Sequence, residues 1–237
     1  MTGLVCTAGG KGSPGATTLA LALALSASET DRVTLVDADP NGGDLAPMLG
    51  VPAGRGLVSL AAATRHRFPT GELERHLQHV TPGVALLAAP SSAEQASASL
   101  MSLGRPFAES LASSNAIADV GRWQPGSAAA DLVREAGTTL LVVHPTVAGV
   151  SHARFQFEDL ASRCARVVVA CRGERPYGAG EVADAIGCAR AIALPADRVG
   201  ASMITGRALD RWMRRSALAR VVRTLGASLA QVEETVS

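Results

Sequence analysis

The sequence predicts an α/β protein in which a mostly parallel central sheet is flanked by helices. Short apolar runs alternate with helical stretches along the chain, which is the order expected of repeated βαβ units. Most of these runs are nearly continuous in apolar residues, as in parallel strands that are buried on both faces. No repeat, low-complexity linker or long charge run divides the 237 residues. We therefore expect a single domain that spans residues 1–237.

The apolar runs predict seven strands and the stretches between them predict six helices. The strands are expected at Leu4–Ala8, Arg32–Val36, Val84–Ala88, Ala116–Asp119, Thr139–Val143, Arg166–Cys171 and Ala191–Leu194. The helices are expected at Thr17–Ser28, Ala93–Leu103, Ser127–Ala136, Ser151–Arg163, Gly180–Ile186 and Thr205–Ala230. The segment Pro52–Pro82 is predicted to form short helices joined by loops. In Thr17–Ser28, leucine and alanine alternate with a strand-like period, but alanine favours helices and disfavours strands.

Composition excludes several classes of protein. Hydrophobic residues make up 47% of the chain and the formal net charge is only +1, which excludes a disordered chain and disfavours a generally basic nucleic-acid binder. Aromatic residues, at 3%, are too few for a platform that stacks single-stranded bases. The four cysteines are scattered without ligand spacing, so neither a disulfide framework nor a zinc site is expected. With no signal peptide recognisable, a cytoplasmic location is expected.

A glycine-rich loop follows the first predicted strand. It reads Gly10-Lys11-Gly12-Ser13-Pro14-Gly15-Ala16-Thr17-Thr18 and leads into the first predicted helix. Compared with the pattern G-x-x-x-x-G-K-[ST], two glycines and a threonine are in register, but alanine occupies the lysine position. Such glycines allow backbone N–H groups to surround a phosphate, and the helix N-terminus attracts the same anion.

This loop resembles that of the ParA/MinD P-loop ATPases, whose deviant Walker A motif reads K-G-G-x-G-K-T-[ST]. Lys11 matches the family-specific first lysine, whereas Ala16 and Ser13 depart from the second lysine and the second glycine. Two further strings support the resemblance, namely Val36-Asp37-Ala38-Asp39-Pro40 after the second strand and Ile117-Ala118-Asp119-Val120-Gly121 on the fourth. The resemblance covers most of the chain and implies a three-layer P-loop NTPase fold. The strings are especially similar to MinD-like proteins of high-GC bacteria.

The resemblance implies a role for each matching residue. Residues that would cradle the phosphates of ATP are Gly10, Lys11, Gly12, Ser13, Gly15, Ala16, Thr17 and Thr18. Thr17, Asp37 and Asp119 would hold Mg²⁺, directly or through water. Asp39 would position the attacking water, and Lys11 would reach the phosphates across an ATP-bridged homodimer. Phosphoryl transfer depends mainly on positioning and charge neutralisation, which are the functions these groups would supply.

Two departures from the family pattern bear on activity. Ala16 removes the lysine that neutralises charge between the β- and γ-phosphates, so hydrolysis is expected to be weak. Cys171-Arg172-Gly173 stands where the family often has an asparagine that recognises adenine, and Arg172 is a candidate to stack on a base. The aspartates at positions 37 and 39 have an alternative interpretation, because Asp-Pro-Asn-Gly is also an ordinary turn sequence.

The last predicted helix is amphipathic and basic. Its arginines are Arg207, Arg211, Arg214, Arg215, Arg220 and Arg223. One interpretation is a helix, or pair of helices, that packs on the sheet and leaves an arginine face in solvent. Another is that this arginine face binds DNA or an anionic membrane.

Two functions of different classes follow from these residues. The first is a nucleotide-dependent switch that dimerises with ATP·Mg²⁺, binds a protein partner and positions cargo, such as a chromosome, a septum site or a pilus or secretion assembly. The second is a pseudo-ATPase scaffold with the same fold that acts through protein–protein contacts. Lys11 favours the first function, since it is the only lysine among 22 basic residues and lies within the loop.

Overall fold

The computed structural model describes residues 3–12, 15–52, 54–64, 68–198, 202 and 216–236, with residues 230–236 described by their backbone alone. The strands are β1 (Gly3–Gly9), β2 (Val33–Asp37), β3 (Gln78–Thr81), β4 (Val84–Leu87), β5 (Asn115–Arg122), β6 (Thr138–Val143), β7 (Val167–Arg172) and β8 (Ala191–Leu194). The helices are α1 (Ala16–Ala27), α2 (Leu45–Leu49), α3 (Leu57–Ala63), α4 (Glu72–His76), α5 (Ala93–Ala112), α6 (Ala130–Glu135), α7 (Val147–Ala161), α8 (Ala179–Ile186) and α9 (Ala217–Val236).

The strands form one sheet of eight strands in the order β3-β4-β2-β5-β1-β6-β7-β8. All neighbours pair in parallel except β3 and β4, which are antiparallel at one edge. The predicted fold class, a three-layer P-loop NTPase fold with a mostly parallel sheet flanked by helices, is confirmed. Strand β1 lies between β5 and β6, so the loop that follows it emerges at the centre of the sheet.

Two hydrophobic cores cover the two faces of the sheet. In β1, Leu4 and Cys6 belong to one core and Val5 to the other, because successive side chains point to opposite faces. Helix α1 is almost wholly buried, since it packs on the sheet and α9 packs against it within the same core. This position explains the alternation of leucine and alanine, because every face of α1 meets an apolar neighbour.

Two predicted elements differ from the structure. The segment 52–82 contains strand β3 in addition to two short helices, and its polar sequence lacks an apolar run that would have predicted a strand. Helix α5 was predicted to end at Leu103, but the chain resumes a helical path after Gly104, which has φ 51° and ψ −150°. Pro106 is tolerated there because it lies in the first turn of the resumed helix, where its missing N–H has no intrahelical partner.

The C-terminal prediction is only partly within the described residues. Helix α9 coincides with the second part of the predicted Thr205–Ala230 helix, and residues 203–215 lie outside the described part. The arginine face is therefore visible at Arg220 and Arg223, which are both exposed. Among the described helices, none is long and apolar enough to cross a membrane.

Candidate functional site

The loop after β1 is held at the carboxyl end of the sheet by backbone contacts. The N–H of Gly10 donates to the carbonyl of Val142 on β6 at 2.8 Å. Gly12 and Gly15 have φ values of 88° and 100°, in the left-handed region that residues with a Cβ rarely adopt. Glycine is therefore required at both positions for the path that the loop takes. Ser13, predicted to contact phosphate, lies outside the described residues.

Helix α1 begins at the end of this loop. Gly15 is its N-cap, and Ala16, Thr17 and Thr18 form its first turn. Within the described chain, no side chain caps the first N–H groups and no acidic residue lies in the first turn. The N-terminal N–H groups and the positive end of the helix dipole are thus directed toward the loop without a protein anion to satisfy them.

Asp119 lies on β5, the strand beside β1. Its side chain is buried, accepts a hydrogen bond from the N–H of Gly121 at 3.1 Å and lies near the hydroxyl of Thr17. Burial raises the pKa of Asp119 to about 6, and the Thr17 hydroxyl and the Gly121 N–H oppose the rise. The predicted pair of Thr17 and Asp119 is therefore brought together by the fold.

Asp37 is the last residue of β2 and pairs in register with Asp119 of the adjacent β5. It is 1% exposed, and its Oδ2 accepts a hydrogen bond from the N–H of Leu45 at 3.0 Å. Burial, followed by the charge of Asp119, raises the pKa of Asp37 to about 7. Two buried carboxylates on neighbouring strands thus lie close enough for the charge of one to disfavour ionisation of the other.

Asp39 is half-buried and packs directly over Gly121. A Cβ added to Gly121 would lie 2.0 Å from Cγ of Asp39, and Gly121 has φ 63°. Oδ1 of Asp39 accepts hydrogen bonds from the backbone N–H of Asn41 at 2.8 Å and from its side-chain amide at 3.0 Å. Asp39 therefore caps the turn that follows β2, as the alternative interpretation of the sequence expected. The same turn places its carboxylate beside the end of β5.

Lys11 is exposed and contacts its own chain. Its Nζ lies 3.2 Å from Nε2 of His152 on α7. The loop lysine therefore lies over the helix that follows β6, rather than turning back toward the carboxylates. The same helix carries two apolar side chains, Val147 and Phe155, that are each 70% exposed.

Comparison with solved structures identifies the fold. No family model and no curated protein matches the chain. A ParA family ATPase from Chlorobium tepidum superposes with a TM-score of 0.80 at 17% identity, over 95% of this chain and 98% of that one. The septum site-determining protein MinD from Pyrococcus horikoshii, complexed with Mg-ADP, gives 0.76 at 18% identity, over 100% and 99% of the chains.

The chain has the ParA/MinD-type P-loop fold. MinD in the MinC:MinD cell division protein complex of Aquifex aeolicus also superposes, with a TM-score of 0.70 at 18% identity over 97% of this chain and 96% of that one. The matches span nearly the full length of each chain. The resemblance that the loop and aspartate motifs predicted is thus confirmed at the level of the fold.

Within the ParA/MinD-type fold, the groups present fit a magnesium ion and a polyphosphate. The buried carboxylates of Asp37 and Asp119 and the hydroxyl of Thr17 are the hard oxygen donors that Mg²⁺ takes, usually one or two carboxylates together with phosphate oxygens. Among the described residues, no three His, Cys, Asp or Glu side chains converge into a metal site of their own.

Sequence reasoning missed several close contacts around these residues. Besides the contact of Gly121 with Asp39, a Cβ added to Gly43 would lie 2.4 Å from Oδ2 of Asp37, so glycine permits the close approach of that segment. The strings that contain both glycines were recognised, but their role depends on distances between different elements. Ala16 stands where the family has a lysine. Its side chain is 7% exposed and supplies no cation to the loop.

Proposed function

We propose that this protein is a cytoplasmic, ParA/MinD-like nucleotide-dependent switch that binds ATP·Mg²⁺, dimerises in response and positions cellular cargo. The observation that carries the proposal is the convergence of three separate segments at one edge of the sheet. The glycine loop, the segment with Asp37 and Asp39, and the strand with Asp119 meet there, and Thr17 lies close enough to Asp119 to lower the pKa of its carboxyl. Each segment supplies a group that phosphoryl transfer requires.

The roles of the residues follow from their positions. The backbone of Gly10, Gly12 and Gly15 and the first turn of α1, which includes Ala16 and Thr18, would surround the phosphates. Thr17, Asp37 and Asp119 would hold Mg²⁺, which supplies charge neutralisation to the phosphate oxygens when it is bound. Asp39, half-buried and fixed by Asn41, would orient a water molecule at the rim of the site.

Lys11 and its surroundings support a nucleotide-linked homodimer. Lys11 is exposed, and its contact with His152 is a single exposed hydrogen bond that costs little to break. Val147 and Phe155 present apolar side chains to solvent on the same helix. A second copy of the chain facing this edge would cover those side chains and receive Lys11 at its phosphates.

Equilibrium sedimentation tests this proposal. We expect monomers without nucleotide and dimers with ATP·Mg²⁺, and we expect Lys11→Ala to remove the dimer while Arg75→Ala, which removes an exposed charge on α4, retains it. Calorimetry on the same samples measures ATP affinity directly. Absence of ATP binding by the wild-type protein would refute the proposal, and a dimer that is indifferent to nucleotide would refute the switch.

Cargo and partner are the finer part of the proposal. We propose an unidentified protein partner and an anionic surface, either DNA or a membrane, that contacts the exposed arginines of α9. Arg220 and Arg223 are the described members of this face. Cosedimentation with duplex DNA and with vesicles containing anionic lipid distinguishes the two surfaces, and loss of binding in the double variant Arg220→Ala, Arg223→Ala is expected for whichever is correct.

A pseudo-ATPase scaffold is the second candidate, and Ala16 is the observation that favours it. Lysine introduced as Ala16→Lys tests it by turnover measurements. If the protein is a switch whose hydrolysis is slow because the lysine charge at position 16 is missing, the variant should hydrolyse ATP faster. A scaffold should bind no nucleotide in either form and should retain its partner in both.

A further inference from the structure

Arg172 is placed at the phosphate loop by the order of the strands. It is the last residue of β7 and therefore ends at the carboxyl edge of the sheet, beside β6 and close to the end of β1. Its Cδ lies 3.8 Å from the position that a Cβ would take on Gly15, the N-cap of α1. The guanidinium, which extends beyond Cδ, is therefore within reach of the loop and of the first turn of the helix.

The charge of Arg172 has no partner among the described residues. Its side chain makes no hydrogen bond or ion pair there, although it is half-buried. Other half-buried arginines are engaged, since Arg163 forms a bidentate pair with Asp159 and Arg166 donates to Thr138. A guanidinium that is partly withdrawn from water usually acquires an anionic partner, because burial without one is costly.

We propose that Arg172 binds the phosphate chain of the nucleotide and supplies the positive charge that Ala16 lacks. This inference rests on the proposed nucleotide function. The loop offers backbone N–H groups but only one lysine, Lys11, whose Nζ is turned toward His152. Arginine suits the missing role, because its planar fork donates two parallel hydrogen bonds to phosphate oxygens and remains charged at every physiological pH.

The alternative role for Arg172, stacking on the nucleotide base, predicts a different dependence on the ligand. A contact to phosphate weakens as phosphates are removed, so its loss should affect ATP and ADP more than adenosine. A stacking contact depends on the base alone and should affect all three ligands equally. The two roles are therefore separable by affinity measurements on one set of variants.

Calorimetric titration of the full-length protein with ATP·Mg²⁺, ADP·Mg²⁺ and adenosine tests the proposal. We expect Arg172→Ala to weaken ATP binding about tenfold to a hundredfold, the range of a charge-assisted hydrogen bond, and to leave adenosine unaffected. Arg172→Lys should retain part of the affinity, and Ala16→Lys added to Arg172→Ala should restore it. Arg190→Ala removes an equivalent charge just before β8, at the opposite end of the sheet, and should bind like wild type.

Each outcome is decisive. ATP affinity of Arg172→Ala within twofold of wild type, or an equal loss for adenosine, overturns the phosphate role while leaving nucleotide binding intact. A wild-type protein that binds no ATP overturns the proposed function and this inference together. Thermal unfolding of each ligand-free variant monitors folding. If Arg172→Ala is unfolded, Arg172→Gln, which keeps the polar stem and removes the charge, takes its place with the same expected losses.

Discussion

The contact between Gly121 and Asp39 tests how closely strand β5 and the turn after β2 must approach at the site. We expect Gly121→Ala to destabilise the protein by several kcal/mol, because the new methyl group would overlap the Asp39 carboxylate and residue 121 has positive φ. Urea unfolding measures the loss.

Gly126→Ala is the matched control for this substitution. Gly126 also has positive φ, 79°, but nothing lies within 4 Å of an added Cβ. The free energy of unfolding of Gly126→Ala should fall only by the cost of placing alanine at positive φ, about 1 kcal/mol. Equal losses in the two variants would show that the carboxylate moves away without cost and that the close packing of Asp39 is not required.

The raised pKa of Asp37 makes the stability of the metal-free protein depend on pH. Its pKa rises from 3.8 to about 7 on folding, so the native state binds more protons than the unfolded state between these values. Stability therefore falls as pH rises from about 4 to 7, and Asp119 adds to this fall with its pKa of about 6. Asp37→Asn cannot ionise and should be more stable than wild type at pH 8 by at least about 1 kcal/mol.

Urea unfolding across pH 4.5–8 in the presence of EDTA checks this expectation. The difference between Asp37→Asn and wild type should shrink toward pH 4.5, where Asp37 is protonated in the folded protein. Asp184→Asn, an exposed carboxylate on α8, should follow the wild-type profile. An Asp37→Asn protein that is less stable than wild type at pH 8 would contradict the assigned cost of burying this charge.

Sequence reasoning identified residues by motif but not the contacts between motifs. Lys11, Thr17, Asp37 and Asp119 were each recognised from local strings, and the structure brings Thr17 close to Asp119. The contact of Arg172 with the loop joins residues that are 157 positions apart along the numbering, from 15 to 172. No local pattern encodes such a distance, because it depends on which strands become neighbours.

A polar N-cap links the start of helix α9 to the segment that follows β8. Ser216 precedes the helix, its Oγ accepts from the N–H of Ala219 at 3.2 Å, and it donates to Asp197 at 2.8 Å. We expect Ser216→Ala to destabilise the protein by about 0.5–2 kcal/mol, because the N–H of Ala219 loses its acceptor and the half-buried carboxylate of Asp197 loses its donor. Ser228→Ala, in the exposed middle of the same helix, should be neutral within about 0.5 kcal/mol. Urea unfolding compares the two, and equal effects would contradict the capping role.

Apolar runs in the sequence predicted the buried strands but not the polar strand at the edge of the sheet. The seven predicted strands all exist, since each carries a run that the two cores enclose. Strand β3 has the sequence QHVT and is only half-buried, so its pairing with β4 is specified by tertiary contact instead. Gln78 illustrates this, because its amide donates to the carbonyls of Pro52 and Arg55 and fixes the edge strand against the preceding loop.

The distribution of charge over the whole molecule limits how it can bind an anionic surface. The formal net charge of +1 gives no overall attraction to DNA or to membranes, so any affinity must arise from a local arrangement of arginines. Such binding should weaken steeply with salt in proportion to the few arginines engaged. A nucleotide-linked dimer would double the number of arginines presented, which offers a physical route from ATP binding to surface attachment.

If residues 1–237 form one domain, the protein should unfold in a single cooperative transition that nucleotide shifts as a whole. All eight strands belong to one sheet, and both of its faces are covered by continuous cores. In a Trp212→Phe variant, the buried Trp123 is the remaining tryptophan, and its backbone N–H donates to the carbonyl of Gly9, the last residue of β1 before the loop. Its fluorescence and far-UV circular dichroism should report the same midpoint.

ATP·Mg²⁺ at a hundred times its Kd should raise the free energy of unfolding by about 2.7 kcal/mol, by mass action on the folded state alone. Both signals should shift together, because the loop is continuous with the central strand β1 and cannot be stabilised apart from the sheet. The variant Asp119→Asn should lose much of the shift, since it removes a carboxylate of the proposed magnesium site. Separate midpoints, or a shift confined to fluorescence, would show that the loop side of the sheet unfolds independently and that the chain contains more than one cooperative unit.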